Sequence, residues 1–226
     1  MPENERTISA ALKRFIDVLG ATVGLLLCAP LMLLMVIFIW IKAGSPVLYR
    51  ESRIGLHQKP FQLFKLRSMK ISKNESEASV ASGDDQRVLS FGHFLRESHL
   101  DELPQLYSVL KGDMSLVGPR PYKASHFKRF SPDFRQIISS VKPGLTGSDS
   151  LIFIAEDQAL KGLDNPEAVY LQCILPEKAK EQIKYIQTQS NLKDLRLILA
   201  TLRAIFFRNT RRKSVCYLRS LFADKH

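Results

Sequence analysis

From Val18 to Ile41 no position carries a charge, and the run "VLGATVGLLLCAPLMLLMVIFIWI" has basic residues on both sides. At about 1.5 Å per residue, its roughly 24 residues make a helix of about 36 Å, long enough for a hydrocarbon core of about 30 Å. Beyond Gly44 the pattern changes sharply. "SPVLYRESRIG" and "KPFQLFKLRSM" alternate aromatic or β-branched residues with polar ones, which predicts two strands around a turn at Gly55 to Gln58. As strand residues two apart, Lys65 and Arg67 are expected on one face. "ISKNESEASVASGDDQR" is poor in large apolar side chains and reads as a long loop. "RVLSFGHFLRESH" predicts a helix with Phe91, Phe94 and Leu95 inward and Arg96 beyond them. Leu103, Leu106, Tyr107 and Leu110 then fall at i, i+3, i+4 and i+7, the spacing of one buried helix face, with Gly112 as its stop.

Further on, "NPEAVYLQCILPEKAKEQIKYIQTQ" reads as two helical pieces broken at Pro176. "NLKDLRLILATLRAIFFRN" carries a stripe of Leu195, Ile198, Leu199, Leu202, Ile205 and Phe206. Arg203 interrupts it, which argues against a second membrane span. A core helix and an in-plane interfacial helix with Arg196 and Arg203 snorkelling both fit. Arg208, Arg211, Arg212, Lys213 and Arg219 follow, a basic tail expected to adhere to anionic lipid. The expected divisions are a membrane-embedded region at 1–44, a soluble domain carrying the chemistry at 45–190, and an amphipathic, basic helix and tail at 191–226.

Two features complicate the apolar run. Pro30 sits in its middle, where it removes a helix hydrogen bond. Arg6, Lys13 and Arg14 precede it and Lys42, Arg50, Arg53 and Lys59 follow, although the positive-inside rule wants basic flanks on one side. A spanning helix and a re-entrant helix that breaks at Ala29-Pro30 are both compatible with this pattern. Asp17, at the entry, is expected to pair with Arg14.

Charge narrows the partners. Lys and Arg number 33 against 22 acids, a net +11, so a polyanion is expected: nucleic acid, an anionic membrane surface or a phosphorylated substrate. No aromatic platform interleaves with the basic residues, and nucleic acid is set aside. Cys28, Cys173 and Cys216 are odd in number and far apart, which argues against a disulfide framework.

Against that basic background, "SHLDELPQL" sets Asp101 and Glu102 side by side. Pro104 is tolerated only in a first helical turn, so the helix is expected to begin near these acids, and one of them can serve as its cap. A pair near Arg96, Lys65, Arg67 and Arg120 can instead hold a divalent metal and present a nucleophile. Pro119 and Pro121 stiffen the backbone around Arg120, whose guanidinium suits bidentate phosphate binding. Lys142 precedes a Pro143-Gly144 turn.

"KRFID" before the apolar run, "FKLRSM", "LDELPQL", "LKGDMSLVGPRP" and "KPGLTG" occur in this order. In this the chain resembles the bacterial sugar transferase family, the small monotopic phosphoglycosyl transferases. The resemblance implies an irregular, mostly helical α/β fold. Its expected parts are an N-terminal re-entrant membrane hairpin broken at Ala29 and Pro30, a small sheet with short helices, and C-terminal amphipathic helices. It implies transfer of a sugar 1-phosphate from a nucleotide diphosphate sugar, a UDP-sugar being expected, to polyprenyl (undecaprenyl) phosphate. Asp101 would be the nucleophile and a Mg2+ ligand, with Glu102 beside it. Arg96 and Arg120, and with them Lys65, Arg67 and Lys142, would face phosphate. It places the chain at the bacterial inner membrane with the catalytic domain on the cytoplasmic face, at the first membrane step of a surface glycan. Self-association is left open.

The chain departs from the family pattern at several places. Ala29 stands where serine is common, His99 precedes the acid pair in place of serine, Ser108 replaces asparagine and Glu51 a glutamine. After "KPGLTG" the stretch "SDSLIFIAEDQAL" lacks the basic residues many relatives carry. A membrane-anchored scaffold that has lost catalysis is the alternative these departures raise.

Overall fold

The structure, a computed structural model, describes residues 3–70, 85–206 and 208–223. The apolar run lies in one long helix, α1 (Glu3–Ala43), with Pro30 inside it. From Ser9 to Ala43 it is long and apolar enough to cross a membrane. Its two flanks rest on protein. Ala21 is buried with Leu63, Leu106, Val109 and Met114, whereas Ile39 is buried with Leu66 and Leu95. Between them Leu26, Leu27, Leu33 and Leu34 are all more than 60% exposed, so the side chains around Pro30 meet little protein.

The alternating segments form the expected hairpin. β1 (Leu48–Ile54) and β2 (Pro60–Leu66) pair antiparallel, and the turn is a short 3-10 segment at Leu56–Gln58. In this register Tyr49 faces Lys65. The expected loop at 71–87 lies outside the described residues except for Asp85 to Arg87. α2 (Ser90–Glu97) buries Leu95, but Phe94 points outward and is 60% exposed. α3 (Gln105–Lys111) is shorter than its spacing suggested. Its inner face is Leu106 and Val109 with Gln105 and Ser108, while Tyr107 is exposed and sets its ring edge-on to Phe64. That inner face is fixed by α1, which lies along α3, rather than by the count of apolar positions.

Beyond α3 comes β3 (Ser115–Val117), then α4 (Ala124–Phe127), α5 (Pro132–Ile138) and β4 (Gly144–Thr146). β3 and β4 pair in parallel. α6 (Ser148–Ile152), α7 (Glu156–Ala159) and α8 (Pro166–Val169) follow as single turns or little more. The expected break at Pro176 does not occur. A π-turn at Tyr170–Ile174 runs straight into α9 (Leu175–Gln187), so the regular ladder is already interrupted just ahead of Pro176, which sits in the first turn of α9. α10 (Asn191–Phe206) and α11 (Arg208–Ala223) complete the chain.

The main core joins α5, α6, α9 and α11 through Phe134, Ile138, Phe153, Ile174, Leu175 and Leu218. α11 turns Leu218 inward and leaves Arg212, Lys213 and Arg219 exposed. On α10 the apolar stripe faces outward: Leu192, Leu195, Leu199 and Leu202 are each about half exposed or more. Arg196 and Arg203 are exposed as well.

Candidate active site

The acid pair sits on a turn rather than on the helix it precedes. His99 adopts a left-handed conformation, φ 56°, which takes the chain out of α2 and into a 3-10 turn at Leu100–Glu102. Pro104 has no N–H to give, so regular α-helix starts only at Gln105. Neither acid therefore caps α3. Leu100 and Leu103 are drawn into the two apolar clusters on either side, and this anchors the turn between them. Asp101 and Glu102 are thereby buried, 5% and 8% exposed.

Two buried carboxylates in sequence demand compensation, because desolvation penalises each charge. Glu102 receives it. Lys65 Nζ on β2 donates to its Oε1 at 2.6 Å, and Arg120 Nη1 donates to Oε2 at 3.1 Å while Nη2 reaches Oε1. Burial alone pushes the Glu102 carboxyl up, but Arg120 and Lys65 outweigh it and hold the group well below the ordinary carboxylate range. Asp101 is different. Burial pushes it up to about 6, and the charge of Glu102 adds to this, despite the opposing pull of Lys65, Arg96 and Arg120. One acid is thus a fixed anion within an ion-pair cage, and its neighbour is an anion with weaker compensation.

The arginine comes from the β3 loop. Gly118 and Pro119 run against Gly144: Gly118 N–H donates to Thr146 O at 2.9 Å and Gly144 N–H donates to Pro119 O at 2.9 Å. A Cβ on Gly144 would stand 2.1 Å from Gly118 N, so only glycine permits this approach. The "GPRP" and "KPGLTG" motifs are one interlocked unit. Arg120 N–H is 3.4 Å from Asp149 Oδ2, and Gln182 Nε2 donates to Asp149 Oδ2 at 2.6 Å and lies 3.4 Å from Arg120 O. Tyr122 O–H donates to Gln182 Oε1 at 2.6 Å. Asp149 and Gln182, each 1% exposed, were not flagged by the sequence. The one available signal is an aspartate two residues after Gly147, at the end of "KPGLTG".

Lys65, Glu102 and Arg120 are therefore brought into contact around Asp101, and Arg96 stands close enough to pull on the Asp101 carboxyl. Arg96 also faces Asp157, with Nη2 3.7 Å from a carboxylate oxygen. Two other expected phosphate ligands are placed differently. Arg67 is buried and donates to Pro46 O at 2.8 Å and to Ala43 O, so it ties β2 to the end of α1. It lies just past the strand, where its N–H donates to Val47 O at 2.9 Å. Lys142 stands beside Gly112 and Arg14, at the far end of α3 from the acids.

The residues ahead of the apolar run form a clasp. Arg14 does not pair with Asp17. It donates instead to Val109 O at 2.7 Å and Leu110 O at 2.8 Å, two carbonyls in the last turn of α3. Asp17 Oδ1 accepts from Ser115 Oγ and Leu116 N–H, both at 2.9 Å. Lys13 Nζ reaches Val117 O at 3.0 Å and Asp194 at 2.6 Å, and Tyr185 O–H completes Asp194 at 2.7 Å.

Comparison with known proteins identifies the family. The family model described as bacterial sugar transferase matches residues 8–208. A UDP-glucose:undecaprenyl-phosphate glucose-1-phosphate transferase of Caulobacter vibrioides is 37% identical over 195 residues, 85% of this chain and 69% of that protein. The Escherichia coli K12 protein of the same name is 39% identical over 146 residues, 62% of this chain and 31% of that protein. An undecaprenyl-phosphate galactose phosphotransferase of Salmonella typhimurium is 37% identical over 157 residues, 62% of this chain and 32% of that protein. The chain thus spans about a third of the latter two. The chain belongs to the bacterial sugar transferase family.

Proposed function

We propose that this protein transfers a sugar 1-phosphate from a UDP-sugar to polyprenyl phosphate and releases UMP. The names of its relatives point to glucose or galactose as sugars to try first. The observation that carries the reading is a buried carboxylate, Asp101, beside a second acid already neutralised by Lys65 and Arg120. Glu102 is engaged by two cations, so Asp101 is the acid with capacity for chemistry.

In the first half-reaction an Asp101 carboxylate oxygen forms a bond to the phosphorus that bears the sugar. The phosphorus–oxygen bond to the nucleotide breaks, and UMP leaves with the electron pair. In the second, an oxygen of polyprenyl phosphate attacks the same phosphorus, the bond to Asp101 breaks, and the carboxylate is regenerated. An ionised carboxylate needs no base to remove a proton. Repulsion from the diphosphate is the obstacle, and Arg96, Arg120 and Lys65 offset it electrostatically.

The donor set also suits Mg2+. Among the described residues no cluster of three or more His, Cys, Asp or Glu is poised for a metal. Mg2+ characteristically takes only one or two carboxylates and completes its shell with substrate phosphates and water. Asp101 would hold it, and when bound it would supply neutralisation of the donor's charge.

The membrane arrangement follows from α1. Both of its flanks rest on the same soluble body while most side chains nearest Pro30 are exposed, which supports a re-entrant helix entering and leaving at one face. The outward leucines of α10, with Arg196 and Arg203 among them, support an in-plane helix, and exposed Arg212, Lys213 and Arg219 support contact with anionic lipid. Together with basic residues on both flanks of α1, this favours the cytoplasmic face of the inner membrane. The step is the first membrane reaction of a surface glycan.

The test is to supply the full-length protein in vesicles with Mg2+, undecaprenyl phosphate and UDP-glucose or UDP-galactose, and to measure UMP and lipid-linked sugar. Release of UMP that disappears in Asp101→Asn is expected. Undiminished release by that variant would overturn the assignment, and normal function of the variant in cells would favour a scaffold.

A further inference from the structure

We propose that Asp149 and Gln182 are positioning residues for Arg120, fixing where its guanidinium can meet the donor's phosphate; this rests on the function proposed above. Flanking prolines restrict φ of their own residues but do not fix the peptide planes on either side of Arg120. Here both backbone polar groups of Arg120 are addressed by one buried pair. Its N–H points to Asp149 Oδ2 and its carbonyl to Gln182 Nε2, each at 3.4 Å. The pair is itself locked by the 2.6 Å bond from Gln182 Nε2 to Asp149 Oδ2. Tyr122 O–H fills the remaining Gln182 oxygen at 2.6 Å, which fixes the amide's orientation.

These contacts come from parts of the chain far apart in sequence. Asp149 is at the start of α6, directly after β4, and Gln182 is in the middle of α9. The long 3.4 Å bonds to Arg120 are weaker than the 2.6 Å bonds inside the pair, so the pair is a rigid abutment and the loop seats against it. The seat continues forward through the forked Arg120–Glu102 contact to the residue next to Asp101. A buried carboxylate whose one short hydrogen bond comes from a neutral amide is costly as core filling alone, since an apolar residue of similar size would avoid the desolvation. Its placement behind Arg120, which forks onto Glu102, gives that cost a use.

Asp149→Leu and Gln182→Met in the full-length, vesicle-embedded protein test this. Each is expected to raise the KM for the UDP-sugar at least fivefold, with a smaller change in kcat. Asp149→Asn, which keeps an acceptor oxygen, should return KM to within threefold of the parent. A purely structural role would lower the amount of active enzyme, and so kcat, with KM unmoved. Thermal unfolding of each variant identifies any that do not fold, and if Asp149→Leu is among them Gln182→Met decides. Folded variants with KM within twofold of the parent would overturn this inference alone. A parent protein that releases no UMP would overturn the proposed function and this inference with it.

Discussion

Arg120 holds Glu102 by a fork: Nη1 donates to Oε2 at 3.1 Å and Nη2 to Oε1 on the same carboxylate. Lysine can reproduce the charge but not the fork. Arg120→Lys is therefore expected to lose roughly 10²-fold in kcat/KM for the donor, as for other transition-state charge contacts. Arg120→Met removes a charge-assisted partner from a buried acid but leaves Lys65 in place. The Arg120 side chain is 36% exposed, so a stability loss of only about 1–2 kcal/mol is expected, read by thermal unfolding in detergent.

Asp101 and Glu102 are adjacent but should fail differently when neutralised. Asp101→Asn removes the proposed nucleophile, and UMP release should fall by at least about 10³-fold. Intact-mass analysis of the parent protein with donor and no lipid acceptor should show an added phosphosugar that this variant lacks. Glu102→Gln should instead retain measurable adduct formation and lose stability, because Lys65 and Arg120 are left without their anion.

The raised Asp101 pKa sets a pH dependence with a definite sign. The proposed reaction requires the carboxylate, so kcat/KM should climb from pH 5, reach half its plateau near 6 and level off above about 7. Stability runs the other way for this group. Its folded pKa, about 6, lies above the unfolded value near 3.9, so between these values the folded state binds more protons and loses stability as pH rises. Asp101→Asn escapes that loss. In metal-free buffer it should be more stable than the parent at pH 7.5, by on the order of 3 kcal/mol, and the advantage should largely vanish near pH 4. Equal pH dependence in both proteins would refute the burial argument.

The clasp ahead of the apolar run makes a separate prediction. Asp17→Ala leaves Leu116 N–H without its acceptor and removes one of two acceptors near Ser115 Oγ, at a cost of about 1–3 kcal/mol. Asp17→Asn keeps an acceptor oxygen and should cost less. Thermal unfolding in matched detergent compares the two.

Much of this site could be read in the chain because its signals are local. The β1–β2 hairpin announces itself by alternation around a turn, and Asp101-Glu102 by two acids in a basic sequence. Arg120 stands out between two prolines. What escaped depends on partners far along the chain. Arg67 looked like a phosphate ligand until the end of α1 claimed its guanidinium through Ala43 O and Pro46 O. Tyr107 and Phe94 looked like core because their spacing fitted, yet which helix face is inward is set by α1 packing on α3 and by Ile39 packing on Leu95. Asp149 and Gln182 lie 33 residues apart, and no periodicity links an acid after one turn to an amide in a later helix.

Lys13, Arg14 and Asp17 fasten one end of the long apolar helix to β3, the C-terminus of α3 and Asp194 on α10. Because α3 leads directly from the acid pair and β3 leads directly to Arg120, the two halves of the proposed site hang from a single bracket on the long apolar helix. Substituting an unrelated hydrophobic anchor for the first 43 residues would keep the protein on the membrane yet leave that bracket without its bolts. The helix is, in this sense, a component of the catalyst's frame as well as its mooring.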